Sequence, residues 1–259
     1  MKWPTSEKYY TGFRILTIVS AIALLLDQLF IPWRSDGEIR VVSLAGWLPE
    51  KIMSSHPLFQ AVTLAAILSA TLWLFKLKPK LTSVATGVFF ILSTSLYLQN
   101  EPFGDHRQSV FCLLMIALAA REYRFLHNYF FQVAACIVVS FYFLAGWEKI
   151  FYSGLSWVNG TSLQVFVHYT GNGRSFLRNL ILQDVDVARF LQAGILLLEC
   201  GSFLLFGPRM LRRMWIVGLI GFHIGIEEIF GYRYFLHLLV VLYLFALPEW
   251  VNRKNDKTT

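Results

Sequence analysis

Residues 129–150 read YFFQVAACIVVSFYFLAGWEKI and form a long apolar run. Its first 19 residues carry no charged side chain, and the first charges are Glu148 and Lys149. A bilayer core of about 30 Å is crossed by about 20 mostly apolar residues in a helix. The stretch therefore predicts a membrane-spanning helix with an acid and a base near its end.

The composition extends this interpretation to the whole chain. Of the 259 residues, 56% are hydrophobic and only 15% are charged, against about a quarter charged in soluble domains. The charges collect at the edges of long apolar runs. We therefore predict an all-α, polytopic integral membrane helical bundle of about eight transmembrane helices. The predicted spans are residues 13–33, 57–76, 81–99, 108–120, 129–150, 187–206, 214–231 and 234–248.

The distribution of lysine and arginine predicts the orientation. With eight spans, fourteen of the 23 basic residues fall on the side that holds both termini. Because cytoplasmic loops of membrane proteins are enriched in lysine and arginine, we expect a multi-pass protein of the cell membrane with both termini in the cytoplasm. A single membrane domain over residues 1–251 is expected, followed by a polar, disordered tail at residues 252–259.

Other classes of protein fit the sequence poorly. The net charge of +7 forms no continuous basic patch, which favours contact with membrane lipid over contact with nucleic acid. The three cysteines lie inside apolar runs, as expected of packing residues and not of a disulfide framework. His223, Glu227 and Glu199 could supply mixed metal ligands, but their spacing matches no metal motif, so no metal is predicted.

A charged side chain at membrane depth costs a few kcal/mol on insertion scales, which makes each one a candidate functional residue. Tyr142, Gly146 and Lys149 fall on one face of the fifth span. Small residues there, Ala145 or Gly146, would let another helix approach and hold Lys149 against it. A lysine kept from water can lose its proton and act as a base, whereas a lysine at the end of a span can extend to the outer headgroups.

The remaining ionisable groups lie in four other spans, and Asp27 of the first span is expected to be wetted and structural. His223 and Glu227 are four residues apart, and we expect both to point into the bundle together with Glu199 of the sixth span. Asp105 and His106 open the fourth span. A purely structural network between helices is the alternative interpretation of these groups.

Two short motifs resemble those of a known family. The stretch Ala145-Gly-Trp-Glu-Lys149-Ile, followed by Trp157-x2-Gly160, resembles the signature of the vitamin K-dependent γ-carboxylase-like membrane domain, also called the horizontally transferred transmembrane (HTTM) domain. Asn100 to His106, Glu199 and Gly221-Phe222-His223 resemble further family positions. The likeness covers about residues 10–248 and leaves out the large luminal domain, as in short bacterial members.

The resemblance implies a polar pocket that opens to the extracytoplasmic side. In the carboxylase, the lysine that matches Lys149 deprotonates vitamin K hydroquinone, and the histidine that matches His106 helps to hold the quinone oxyanion. The expected catalytic residues are Lys149, His106, His223, Glu199 and Glu227. The expected substrate-binding residues are Trp157, Gly160, Asn100 and Tyr142.

The departures from the carboxylase pattern shape the expected activity. A seventh span with His-x3-Glu-Glu and the expected lack of a luminal domain argue against carboxylation of a protein glutamate. Smaller bacterial members include maturation factors for secreted peptide toxins, with no known vitamin K requirement. We expect base-catalysed modification or maturation of a secreted peptide, or a quinol-linked reaction. A quinone or vitamin K hydroquinone cofactor is implied by the resemblance alone.

A non-catalytic membrane module is the alternative that the sequence leaves open. A transporter, an accessory subunit or an immunity subunit could hold the same buried charges only to fix the packing of its helices. The Ala-Gly-x2-Lys and Trp-x2-Gly motifs favour the enzyme-like interpretation, because a packing scaffold does not need that set of residues.

The orientation can be tested with topology reporters. A reporter fused after Lys257 should read as cytoplasmic, and one inserted near Asn172 should read as extracytoplasmic, because the basic residues divide unequally between the two sides. Alkaline phosphatase and green fluorescent protein activities measure the two locations. The reverse reading at either position contradicts the eight-span arrangement.

Overall fold

The computed structural model describes residues 3–4, 6–30, 52, 55–100, 106–171, 175–231 and 235–256. Within these ranges every regular element is a helix. The chain divides into two compact units, one of residues 5–134 and one of residues 135–259 with the first four residues. Two such units can form within one membrane domain, so the predicted domain over residues 1–251 stays a prediction.

The first unit is built from long helices. Ser55 caps the second helix through its side chain, which accepts a hydrogen bond from the amide of Leu58. The helices are α1 (Glu7–Phe30), α2 (His56–Leu74), α3 (Pro79–Asn100), α4 (His106–Glu122) and the beginning of α5 (Phe130–Ser153). The boundary between the units falls inside α5.

The second unit combines the rest of α5 with shorter helices. A 3₁₀ helix, Gly154–Trp157, directly follows α5. The other helices are α6 (Thr161–Thr170), α7 (Phe176–Gln183), α8 (Val185–Cys200), the 3₁₀ helix Ser202–Phe206, α9 (Arg209–Phe230), α10 (Phe235–Phe245) and α11 (Leu247–Asp256). The backbone of α11 thus reaches into the polar tail that begins at residue 252.

Among the described residues, four helical segments are long and apolar enough to cross a membrane. They are Glu7–Phe30, His56–Leu74, Pro79–Tyr97 and Phe130–Trp157. Each of the eight predicted apolar runs overlaps a helix, so the all-helical fold class is confirmed for the described ranges. The number of spans beyond these four stays a prediction.

The sixth predicted run, residues 187–206, is not one continuous α-helix. α8 ends at Cys200, and the chain continues as a 3₁₀ helix after Gly201. The indole of Trp215 occupies the space where a side chain at position 201 would lie, so the residue at the break has to be glycine. Trp215 Nε1 also donates a hydrogen bond of 3.1 Å to Leu198 O and so holds the last turn of α8 against α9.

Residues 151–186, which lie between the fifth and sixth predicted spans and are expected to face outward, contain regular structure. They fold into the first 3₁₀ helix, α6 and α7. These helices pack with α8 and α9 around a small apolar core of Val167, Ile181, Ala188 and Ile229. This packing covers the C-terminal part of α9, which matters for the acids carried there.

A buried arginine closes the end of α2 in the first unit. The Arg14 side chain is only 2% exposed, and its guanidinium donates to Trp73 O at 2.9 Å and Leu74 O at 3.3 Å. These are carbonyls of the last helical turn, which have no partner within their own helix and lie at its negative end. Arg14 therefore joins α1 to the C-terminus of α2.

Replacing Arg14 should destabilise the first unit. Arg14→Met keeps an unbranched apolar side chain but leaves the Trp73 and Leu74 carbonyls without their charged donor, which we expect to lower the stability by about 2 kcal/mol. The midpoint of thermal unfolding in detergent measures the change. Lys8→Met, at an exposed position of the same helix, is the matched control and should leave the midpoint unchanged. Equal midpoints for the two variants would contradict the role of Arg14.

Candidate functional site

The candidate site lies in the second unit, where the last turns of α5 face the end of α8. Lys149 Nζ donates hydrogen bonds to both carboxylate oxygens of Glu199, at 2.9 and 2.8 Å, and to Ala145 O at 3.0 Å. The Glu199 side chain is 8% exposed and the Lys149 side chain 25% exposed. Lys149 therefore turns toward a carboxylate of another helix, while its sequence neighbour Glu148 is exposed.

A glycine on α5 makes this ion pair possible. A Cβ built on Gly146 would lie 2.7 Å from Cys200 Sγ and 2.8 Å from Glu199 Cβ, closer than real side chains approach each other. The two helices therefore meet at Gly146 with no side chain between them, which is the close approach expected of small residues at a helix contact. Ser202 Oγ adds a second link by donating to Val139 O at 3.1 Å.

The exit of α5 carries the second half of the sequence motif. Lys149 Nζ lies 5.5 Å from the centroid of the Trp157 ring, within the range in which an indole face attracts a cation. Gly160 has a φ of 82°, a left-handed conformation that strongly favours glycine. Its N–H donates to Gln192 Oε1 at 2.6 Å, so the exit segment is fixed to the same helix, α8, that carries Glu199.

A second polar cluster lies further back on α5. The Tyr142 hydroxyl and His223 Nε2 are 2.5 Å apart, and the rings of Tyr142 and His237 stack with centroids 5.4 Å apart. All three side chains are buried. Because Tyr142 precedes Lys149 by seven residues, the two lie on one face of α5, about 10 Å apart along its axis.

Two members of this arrangement were not predicted. His237 lies inside the apolar run of the last span, and a histidine there is the same signal that singled out His223. Gln192 is 1% exposed but carries no charge, and no sequence pattern distinguishes it from a surface glutamine of α8. Its role follows only from the structure, in which its side-chain oxygen accepts the hydrogen bond from the Gly160 N–H.

The expected convergence of three residues on the bundle interior is only partly found. His223 and Glu199 are buried, each paired with a residue of α5. The expectation for Glu227 was wrong, because its side chain is exposed. Near the end of α9 the covering helix is α7, and it engages the next residue: Glu228 accepts hydrogen bonds from Ser175 Oγ at 2.5 Å and Leu177 N at 3.3 Å.

The two remaining predicted residues belong to the first unit. Asn100 is the last residue of α3, and His106 is the first residue of α4. Their side chains fall outside the described residues, so their assignments as substrate-binding and catalytic groups stay predictions.

The chemistry available in the described part of the second unit is proton transfer and hydrogen bonding. It comprises one amine, one carboxylate, one phenol and two imidazoles on or against a single face of α5. Among the described residues, no group of three or more histidine, cysteine, aspartate or glutamate side chains is arranged to hold a metal ion. No family model, curated protein or solved structure matches the chain.

The contact at Gly146 can be tested by adding one methyl group. Gly146→Ala should push α8 away from α5, because the new Cβ would overlap Cys200 and Glu199, and we expect a loss of about 1–3 kcal/mol in stability. The thermal unfolding midpoint in detergent measures this effect.

Gly194→Ala is the matched control for this change. Gly194 lies in α8 itself, and a Cβ there would meet nothing within 4 Å. Because alanine favours a helix over glycine by up to about 1 kcal/mol, the control should be neutral or slightly stabilising. A Gly146→Ala protein as stable as the control would show that the two helices are not in close contact.

Proposed function

We propose that the chain is an HTTM-like membrane protein whose second unit carries a proton-transfer site centred on Lys149. The proposed substrate is a secreted peptide or a quinol. The proposed arrangement has about eight spans, both termini in the cytoplasm, and the end of α5 directed to the extracytoplasmic side. The observation that carries the proposal is the hydrogen-bonded pair of Lys149 and Glu199, with Nζ 2.8 Å from the carboxylate and the lysine side chain still 25% exposed.

The pair can deliver a neutral amine without leaving a lone charge behind. Removal of water penalises an ammonium–carboxylate pair relative to the neutral amine and carboxylic acid. Transfer of one proton from Lys149 Nζ to Glu199, along the existing hydrogen bond, gives a neutral amine and a carboxylic acid. Rotation of the amine then breaks that hydrogen bond and turns the nitrogen lone pair toward a bound substrate. That lone pair can then take a proton from a substrate X–H, whose bonding electrons stay on X.

The surroundings of the amine favour a substrate that approaches from the exit of α5. Glu199 is buried, so a substrate can reach the pair only through the partly exposed lysine. Trp157 lies against the same Nζ and can stabilise the ammonium that forms after proton abstraction. Tyr142, about two turns earlier on α5, and its α9 partner His223 supply a hydrogen-bonded phenol and imidazole for a second proton.

A quinol is one of the two proposed substrates, and the residues fit it in part. The resemblance assigns two groups, Lys149 and His106, to the quinol. Lys149 is a partly exposed amine beside the Trp157 ring, which suits the removal of a proton from a phenolic hydroxyl. His106 is the other, and no step is assigned to it. A secreted peptide needs only the amine, so the proposal does not depend on the quinol.

A structural role for the same pair is the second candidate function. The close approach at Gly146 places Lys149 and Glu199 where their attraction also fixes α8 against α5. In a transporter, accessory or immunity subunit this lock would be all that the pair does. The two candidates differ in whether the amine must be able to lose its proton.

Lys149→Arg separates the two candidates. Arginine keeps the ion pair but cannot act as a base at accessible pH, so we expect a folded protein that loses about 100-fold or more of its activity. Activity is read as the mass change of peptides secreted by cells that express the protein, and as turnover of vitamin K hydroquinone in proteoliposomes. Lys8→Arg is the control, since Lys8 is exposed on α1. Full activity of Lys149→Arg would remove the base from the mechanism.

A chemical rescue and a charge exchange complete the test. Lys149→Ala should regain part of its activity with a small exogenous amine, because a missing base can be replaced from solution. Lys149→Glu combined with Glu199→Lys should regain stability under either candidate, because opposite charges still face each other. The exchange moves the amine from α5 to α8. If Lys149 acts as a base, the exchanged protein should therefore stay inactive although its stability is restored.

A further inference from the structure

The N-terminus of α9 carries a cluster of arginines that the proposed function does not use. Three guanidinium groups surround one carboxylate, that of Glu249 in α11. Their Nε atoms lie 3.9 Å (Arg209), 2.8 Å (Arg212) and 3.0 Å (Arg213) from it. One negative charge therefore faces three positive charges, and the cluster as defined by these four residues has a surplus of two.

The four side chains differ in exposure. Arg212 and Glu249 are 9% and 11% exposed and form the buried part of the cluster, which ties α9 to α11. Arg209 and Arg213 are 56% and 46% exposed, and Arg209 is too far from the carboxylate for a hydrogen bond. The surplus charge thus lies on the two arginines that face outward.

An apolar cleft begins directly beside the outward arginines. It has a volume of about 360 Å³ and lies between α9 and the first turn of α11. Its lining is Arg213, Ile216, Val217, Ala246, Glu249 and Trp250. A charged mouth on an apolar cleft is suited to a molecule with a charged end and a hydrocarbon body.

The outer face of α9 continues this apolar path. Met210, Met214 and Val217 are all exposed and follow one another at spacings of four and three residues, which places them on one face of the helix. Pro208, the N-cap of α9, gives its first turn no side-chain cap, so the amides there are available to an acceptor from outside. The N-terminus of α9 is the positive end of the helix dipole and favours a negatively charged ligand, and it lies next to these arginines.

We propose that this surface binds an anionic phospholipid. The phosphate would be held by the guanidinium groups of Arg209 and Arg213, which match phosphate geometry with paired hydrogen bonds. One acyl chain would lie in the cleft by Trp250 and another along Met214 and Val217. Basic pockets next to apolar helix surfaces recognise lipid headgroups in this way.

The proposal is tested with Arg209→Gln combined with Arg213→Gln, which leaves the buried Arg212–Glu249 pair intact. The probes are dioleoylphosphatidylglycerol and dioleoylphosphatidylcholine, added to the purified full chain in detergent. Native mass spectrometry counts bound lipid, and the thermal unfolding midpoint reports stabilisation. We expect the wild type to prefer phosphatidylglycerol, and the double variant to bind it at least about 100-fold more weakly, since each lost charge-assisted contact accounts for about tenfold or more.

The control removes the same charge elsewhere. Lys76→Gln combined with Lys78→Gln lowers the net charge equally at an exposed turn of the first unit and should keep the preference for phosphatidylglycerol. A wild type that responds equally to both lipids, or a control that loses the preference as fully as the double variant, overturns the proposal. If the double variant does not fold, Arg209→Gln alone decides, because its guanidinium makes no hydrogen bond to Glu249 and its loss should still weaken phosphatidylglycerol about tenfold.

A third arm distinguishes the lipid from a soluble phosphate. Glycerol 3-phosphate and inorganic phosphate carry the same charged group without acyl chains. They should raise the unfolding midpoint far less than the lipid at equal concentration, because the cleft and the methionine face stay empty. Equal stabilisation by glycerol 3-phosphate would show that the site recognises a soluble anion and would overturn the lipid as its ligand.

Discussion

The candidate site depends on the absence of a single side chain at position 146. Helix backbones normally stand apart by the width of their side chains, at 8–10 Å between axes. Gly146 removes that spacer where α5 meets Cys200 and Glu199. The side chain of Lys149, one turn later on α5, can then reach the carboxylate of Glu199. Much of what surrounds the pair maintains this approach: Trp215 holds the end of α8, Ser202 ties it to α5, and Gln192 anchors the exit segment.

The attraction between Lys149 and Glu199 does not by itself account for the presence of the pair. An ion pair placed away from water gains little net stability, because the loss of hydration offsets most of the attraction. Apolar residues of the same size would fix α5 against α8 at least as well. Under the proposed function, the pair contributes a reactive amine in addition to the stability that it adds. In the arginine cluster on α9, one arginine suffices to bury Glu249, and the other two add positive charge at the surface.

Relations within one helix could be predicted from the sequence, and relations between helices could not. The helical period placed Tyr142 and Lys149 on one face and identified Ala145 or Gly146 as a contact position, and in the structure the close contact is at Gly146. The partner of Lys149 came from another helix, and spacing says nothing about which helices adjoin. The error at Glu227 has the same origin: α7 lies between the fifth and sixth predicted spans, and nothing in the sequence indicates which side of α9 it covers.

The glycine contact also constrains how the sequence can drift among related chains. A larger residue at position 146 separates α5 from α8, and a separated α8 leaves Glu199 as a buried carboxylate without its amine. The three positions 146, 149 and 199 are therefore expected to vary together or not at all. A distant relative that has lost the glycine should also have replaced both charged residues, and it would then keep the bundle without an ion pair between these two helices.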